Sequence, residues 1–471
     1  MAQTPEANVV FGVFNETSDH ESRVALTPDT VTRLRKAGVT CMIEQGAGNA
    51  AAYTDEDYAK VGATVCTADD ILAKADALGF VDRPSEQMIG RIKPGTWVIG
   101  MLSSFTDEDY VAALASAGIT AVAIERLPRQ LSSAQSMDEM TSQNSVMGYK
   151  AVLVAANAYG SFLPMMTTAA GTIRPAKMLI LGAGIAGLQA IGTARRLGAV
   201  VTAYDVRPAS KSEVESLGAK FLDLGIDLSR GQGEGGYARA LSAEEQAQQQ
   251  AAVDRKAAEF DIIITTAKVP GRKPPMLLTK AGVGGLHRGS VIVDCAASEL
   301  GGNVEGSQIG TQVTDGGVTV IGAPYLASEV STTASNLLSR NVADVLAHFL
   351  VNGRLEVRQG EELDDAMVVA HTHAASNGRD DARSGRIDHP VHPRTDHWHR
   401  GHRKSAGDAA HAIDVRCELH PRHRHRRCRH RGRRGQQLAL LCVHLPRGDA
   451  GNNERRGRLC GHRPHARDVQ E

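Results

Sequence analysis

The chain has 471 residues with 53 Lys+Arg against 53 Asp+Glu, so its formal net charge is zero. That neutrality is a cancellation: residues 371–471 hold 22 of the basic and 11 of the acidic side chains, leaving +11 on this tail and −11 on the first 370 residues. No run of about eighteen apolar residues occurs, which excludes a membrane-spanning helix in the chain as written, and the first 370 residues, rich in Ala, Gly, Val, Leu and Ile, are long enough for two separate cores.

At the N-terminus, MAQTPEANVVFGVFNE has no basic stretch leading into an apolar core, so a cytoplasmic protein is expected. Residues 9–14 read as a strand. A loop then leads to Arg23-Val-Ala-Leu-Thr27-Pro28 and a helix with Val31, Leu34 and Ala37 on its apolar face, Thr27 as its N-cap and Pro28 at its first position. Further strands are expected at 40–44, 96–101 and 121–124, and residues 135–159 have the length of a connecting helix. Cys41, Cys66 and Cys295 lack any CxxC spacing and suit reduced thiols better than disulfides or a metal.

A second unit opens with the apolar run Met178-Leu-Ile-Leu181, which enters Gly182-Ala-Gly184-Ile185-Ala186-Gly187 and continues with helical spacing over 188–197. Gly182 permits a tight turn, Gly184 lets the backbone approach a pyrophosphate, and Gly187 allows close helix–strand packing. The helix start supplies free N–H groups and a positive dipole end. Asp205 closes the next strand, followed by Val206 and Arg207, and a carboxylate there accepts hydrogen bonds from an adenosine ribose. This selects NAD over NADP, because a 2′-phosphate would meet a like charge, although the Arg207 guanidinium is placed to serve a 2′-phosphate. The competing reading is a packing turn that binds nothing, but strand, turn, helix and terminal acid together favour a dinucleotide.

Later strands fall at 260–266, 290–294 and 318–322, and a final helix at 335–351 packs back on the first unit. The pattern predicts an α/β protein of two Rossmann-like, doubly wound parallel-sheet domains with a cleft between them. The expected division is 1–135 plus 330–370 for the first domain, 136–329 for the NAD-binding domain, and 371–471 for the tail. The cleft is the default active site.

Across residues 9–370 the chain resembles the NAD(H)-binding domain of proton-translocating NAD(P) transhydrogenase alpha subunits, a family related to alanine dehydrogenases. The resemblance is carried, in order, by Arg23-Val-Ala-Leu-Thr-Pro28, Glu44-Gln-Gly-Ala-Gly48, Pro128-Arg129 with Ala134-Gln-Ser-Met-Asp138, Gly148-Tyr149, Thr168-Ala-Ala-Gly-Thr172, the glycine motif, Gly235-Gly-Tyr-Ala238, Thr265-Thr-Ala-Lys-Val-Pro-Gly271 and Gly301-Gly-Asn303. It implies that the loop bearing Arg129, Gln135 and Asp138 lies over the nicotinamide, with Thr141 beside it. Here the loop departs from the commoner pattern by one extra residue before Ala134 and by Ser133 where an arginine is usual. Without the resemblance, Arg129 would pass for a solvated loop residue, and Gln135 and Asp138 for a helix cap. It further implies that Gly236 and Tyr237 belong to a mobile loop closing over the nucleotide, and that Ala267, Lys268, Pro270 and Asp294 contact it from the ends of later strands.

Two chemistries separate by what is missing. Alanine dehydrogenase polarises a keto acid and moves a proton, and its family carries a lysine and a histidine for this; residues 78–84 and 98–105 hold neither. Hydride transfer between two nicotinamides needs no general acid, only positioning, and Arg23 then takes a structural, salt-bridging role. The resemblance implies NADP on a partner beta subunit, coupling to proton movement, a homodimer, and a place peripheral to the inner (plasma) membrane through the complex. A regulatory NAD-binding module without turnover is the alternative from another class.

The tail holds 15 of the 18 histidines and four of the seven cysteines, with one lysine, Lys404, against 21 arginines. As a nucleic-acid arm it lacks lysine and aromatic partners, so no nucleic-acid partner is expected. Cys417, His420, His423, His425 and Cys428 match no common zinc spacing, so no metal is expected either. A shifted reading frame fits better: codons can be chosen for residues 454–471 that, read one base later, give NVVGGFVVTDRMLEMFK, similar to the membrane-embedded C-terminus of the same alpha subunit. On that reading the tail is out of frame and disordered, and the parent gene encodes transmembrane helices lost near Ala370.

Overall fold

The computed structural model describes residues 9–225, 242–268 and 272–371. The expectations for Gly236, Tyr237, Pro270 and residues 372–471 lie outside them.

The first domain alternates β1 (Val9–Val13), α1 (Pro28–Lys36), β2 (Val39–Glu44), α2 (Asp55–Lys60), β3 (Thr64–Cys66), α3 (Ala68–Lys74) and β4 (Ala77–Gly79). It continues with α4 (Glu86–Ile89), β5 (Trp97–Gly100), α5 (Glu108–Ser116) and β6 (Thr120–Ala123). The long helix α6 (Glu139–Ala158) leads to a hairpin, β7 (Met166–Thr168) and β8 (Gly171–Ile173). The second sheet follows with β9 (Lys177–Leu181), α7 (Ile185–Arg196), β10 (Val200–Tyr204), α8 (Ser210–Ser216), β11 (Lys220–Phe221), α9 (Ala243–Ala257) and β12 (Ile262–Thr265). Next come α10 (Lys280–Gly284), β13 (Val291–Asp294), β14 (Gly310–Val313) and β15 (Thr319–Gly322). The chain returns through α11 (Ser331–Phe349), β16 (Leu350–Val351), β17 (Arg354–Leu355), α12 (Glu362–Met367) and β18 (Val368–Ala370).

Among the described residues there are two seven-stranded sheets, ordered β18-β6-β5-β4-β1-β2-β3 and β11-β10-β9-β12-β13-β15-β14. All pairs in them are parallel except the edges β18 with β6 and β14 with β15. In the second sheet the strand order reverses at β9, where Met178 lies between Val201 and Ile262. Crevices at such reversals, beyond the carboxyl ends of the strands, are where α/β sheets take ligands. Ile262, Ile263 and Ile264 are all completely buried, because helices cover both faces of a parallel sheet and its inner strands read as unbroken apolar runs. Each such side chain contributes about 1.5–3 kcal/mol.

Two helices form the seam between the sheets. Met147, Ala151, Val152 and Ala155 of α6 join the core of the second sheet, while Leu338, Val342, Leu346 and Phe349 of α11 join that of the first. The helices are cross-linked: Gln143 donates through Nε2 to the Ala334 carbonyl at 3.1 Å, and the Ser142 hydroxyl to Asn341 Oδ1 at 2.7 Å. From α11 the chain returns to add β18 to the first sheet, with Val368 opposite Val122. Asp364, fully buried, ties this return by accepting from Arg358 and pairing with His348.

Several local details differ from the sequence expectations. The helix expected from residue 135 starts at Glu139, because Ser132–Met137 form a tighter 3-10 turn and Asp138 caps the helix proper by accepting from the Thr141 N–H at 2.9 Å. Thr27 does precede α1 with Pro28 at its first position, yet its hydroxyl pairs with Ser339 at 3.0 Å instead of capping the helix. The three-residue strands β3, β4, β7, β8 and β18 were not expected, since three residues carry too little periodicity to be seen.

Candidate functional site

The turn after β9 is shaped by glycines for three separate reasons. Gly182 has φ +99, and a Cβ there would come within 2.8 Å of Thr266 Oγ1. At Gly187 a Cβ would strike the Gly182 peptide, 2.9 Å from its carbonyl carbon, so the start of α7 rests directly on the end of β9. Gly184, by contrast, has nothing within 4 Å of where its Cβ would be. Open space therefore lies in front of the helix start, where the N–H groups of the first turn have no partner inside the helix. Ile185 is exposed beside it and Ala186 is buried. An anionic pyrophosphate fits this arrangement.

Asp205 follows β10 at 8% side-chain exposure. Its carboxylate accepts from the Ala183 N–H at 2.8 Å, which joins the acid to the glycine turn, and from Arg207. Val206 packs on the core between them. On the other side of β9, Asn303 is completely buried and holds Ala267 from both sides, accepting from its N–H at 3.0 Å and donating to its carbonyl at 2.8 Å. Lys268, the next residue, is exposed. Asp294, expected to contact the nucleotide from the end of its strand, is completely buried, accepting from the Thr265 hydroxyl and the Ala296 and Val304 N–H groups. Its carboxylate organises the 294–304 loop.

Arg129, Asp138 and Thr141 come together at the start of α6. Arg129 Nε donates to Asp138 Oδ2 at 2.8 Å and Nη2 to the Thr141 hydroxyl at 2.6 Å, which itself donates to Asp138 Oδ2 at 2.6 Å. Asp138 thus serves as cap and as counter-ion, and Arg129 is held across the loop even with the extra residue before Ala134. Gln135 stands exposed on the 3-10 turn. Further along α6, Gly148 meets the nucleotide turn: a Cβ there would lie 2.8 and 2.9 Å from the Ala186 carbonyl carbon and Cα. One helix therefore carries both the Arg129 partners and the surface on which α7 rests.

Next to this helix start, Arg23 pairs with Glu21 at 2.6 Å and donates to Gln143 Oε1 at 3.0 Å. Burial opposes ionisation of Glu21, but the Arg23 hydrogen bond and charge win and hold its carboxyl below the usual range. Glu139 lies in the same neighbourhood at 3% exposure, and its Oε2 has no hydrogen-bond partner. Burial pushes its carboxyl up to about 8 against the pull of Arg23. Asp82, from the segment where a keto-acid enzyme would place a lysine, is raised by burial and by the charge of Glu21. Arg23 is thus matched by acidic side chains, of which Glu21 is its ion-pair partner. Sequence reading missed Glu139, because an acid in a first helical turn looks like ordinary dipole compensation, and assigned no role to Gly148 or Asn303.

Family models described as alanine dehydrogenase/PNT, N-terminal domain, and alanine dehydrogenase/PNT, C-terminal domain, match residues 12–147 and 151–377. The chain belongs to this family. Within it, the chain stands with the transhydrogenase alpha subunits: it is 40% identical over 358 residues to an NAD(P) transhydrogenase subunit alpha polypeptide of Rickettsia prowazekii, covering 74% of this chain and 90% of the relative. The crystal structure of transhydrogenase from Sinorhizobium meliloti aligns with a TM-score of 0.69 at 40% identity, covering 77% of this chain and 98% of that one. A solved L-alanine dehydrogenase aligns with a TM-score of 0.61 at 26% identity, covering 78% and 97%. Among the described residues no helix is long and apolar enough to cross a membrane, and no group of three or more His, Cys, Asp or Glu is arranged to hold a metal ion.

Proposed function

We propose that this chain holds NAD(H) and passes hydride between it and NADP(H) on a partner beta subunit, in an assembly that couples transfer to proton translocation. The observation that carries the reading is the chemistry around Arg23: its charge partners among the described residues are the acidic side chains Glu21, Asp82 and Glu139, where a keto-acid enzyme would set a lysine and a histidine. When bound, NAD(H) supplies the hydride donor or acceptor. The protein's task is then positioning. Gly182, Gly184 and Gly187, with Ile185 and Ala186, form the pyrophosphate turn; Asp205 takes the ribose, flanked by Val206 and Arg207; Ala267 and Lys268 border the nucleotide from the end of β12. Arg129, braced by Asp138 and Thr141 and accompanied by Gln135, presents a fixed guanidinium to the nicotinamide amide, and Asp294 keeps the far loop in shape. We further infer a homodimer and membrane association only through the partner complex.

The deciding assay mixes the full chain with an NADP-loaded partner domain and follows hydride transfer from NADH. Transfer is the expected result. Tight NADH binding without transfer would mean a regulatory module, while turnover of pyruvate with ammonia would mean an alanine dehydrogenase.

A further inference from the structure

Asp205 is the residue expected to grip the ribose, yet its hydrogen-bonding capacity is already spent. Oδ1 accepts from the Arg207 N–H and from Arg207 Nε, both at 2.9 Å. Oδ2 accepts from the Ala183 N–H at 2.8 Å and from Arg207 Nη2 at 3.0 Å. A carboxylate offers about four acceptor positions, so a ribose diol finds none open. Two of the donors are backbone N–H groups fixed by the turns after β9 and β10. The other two belong to one guanidinium. Only that side chain can yield, and at 23% exposure beside Asp205 at 8% it has a way out to solvent. Its Nη2 also donates to the Ala183 carbonyl at 3.1 Å, so the plug bridges the ribose acid and the glycine turn.

We propose that Arg207 sets the dinucleotide selectivity of this site: its guanidinium occupies the ribose-binding edge of Asp205, gives way to the hydroxyls of an NAD ribose, and remains nearby as a counter-charge that softens the exclusion of a 2′-phosphate. The inference rests on the reading that the Gly182–Asp205 region binds NAD(H). Arginine suits both halves of the role, because its planar fork pairs bidentately with carboxylate and phosphate alike. Without Arg207, Asp205 keeps its two backbone donors, has two acceptor positions open to a diol, and confronts a 2′-phosphate with an unbalanced negative charge. Removing the guanidinium therefore tightens NADH binding and weakens NADPH binding at once.

The test is equilibrium binding of NADH and of NADPH to the full chain, as wild type, Arg207→Ala and Arg207→Lys, with thermal melts to show that each is folded. For Arg207→Ala the ratio of the NADPH to the NADH dissociation constant should rise roughly tenfold or more, the scale of one hydrogen bond to a charged group. NADH itself should bind more tightly. Arg207→Lys, which keeps the charge and loses the fork, should fall between the two. Equal weakening of both dinucleotides in Arg207→Ala, with the ratio unchanged, would mean that the guanidinium only packs on the nucleotide and would overturn the proposal. A folded wild type that binds neither dinucleotide would instead defeat the binding reading, and this proposal with it.

Discussion

Gly148→Ala tests the idea that α6 sets the distance between the Arg129 loop and the glycine turn. In a helix interior this change normally stabilises, by about 0.5–1 kcal/mol, because alanine loses less backbone freedom on folding. Here the added Cβ would lie 2.8 Å from the Ala186 carbonyl carbon, and ordinary contact begins at 3.4 Å, so the helices must part by more than 0.6 Å once the nearer carbonyl oxygen is counted. The obstacle is backbone in the first turn of α7, which cannot rotate away. Overpacking of this kind costs about 1–3 kcal/mol, enough to outweigh the gain from helix propensity. For domains of this size each kcal/mol lowers the melting temperature by roughly 2–4 °C. Catalytic geometry tolerates only about 0.5 Å of looseness, and a misplacement near 1 Å can cost on the order of 100-fold in rate. Hydride transfer should accordingly fall further than NADH affinity. Gly192→Ala is the control: it lies on α7 with nothing within 4 Å of its Cβ, and should stabilise. Thermal melts, NADH titration and the transfer assay with the partner domain read all three quantities. A Gly148→Ala protein that melts at or above the wild-type temperature with unchanged transfer would refute the reasoning.

Two further predictions concern the acid beneath the loop and the tail. Glu139 has a carboxyl pushed up to about 8 from an ordinary value of 4.5, so between those limits the folded chain holds a proton that the unfolded chain has lost. Its contribution to stability is complete below about pH 4.5 and is lost as pH rises through about 8. Glu139→Gln, neutral throughout, should remove that share of the pH dependence in denaturant melts; identical slopes in the two proteins would contradict it. Glu16, raised to about 8 by burial, has the same sign and should leave a residual slope in the variant. For the tail, we expect the gene to carry a single-base lesion near the codon of Ala370, relative to close relatives, after which the restored frame encodes transmembrane helices. An intact frame in the gene would rule this out.

Much of the fold was legible because its signals are local. The apolar run of β9, the glycine spacing and the small residues of α7 lie within a few residues of one another, and each obeys a constraint of the backbone itself: a positive φ at Gly182, a close approach at Gly187, an open face at Gly184. Short elements escaped, and so did the division of labour among the acids. Asp205 and Asp294 both end parallel strands and look alike in one dimension. In three dimensions one is joined to the glycine turn through the Ala183 N–H and the other is sealed beneath a loop, because Gly302 and Val304 fold back over Asp294.

The glycine turn and the α/β scaffold that carries it were readable in one dimension, since each depends on residues near in the chain. Tertiary structure decided what those residues do to one another. Arg129 has partners 9 and 12 residues away across a capped helix start, Gly148 meets Ala186 across two helices, and Arg207 fills the acceptor positions of the acid expected to hold the ribose. Such pairings are set by how far apart packed elements come to rest, a sum over the whole core that no local pattern records.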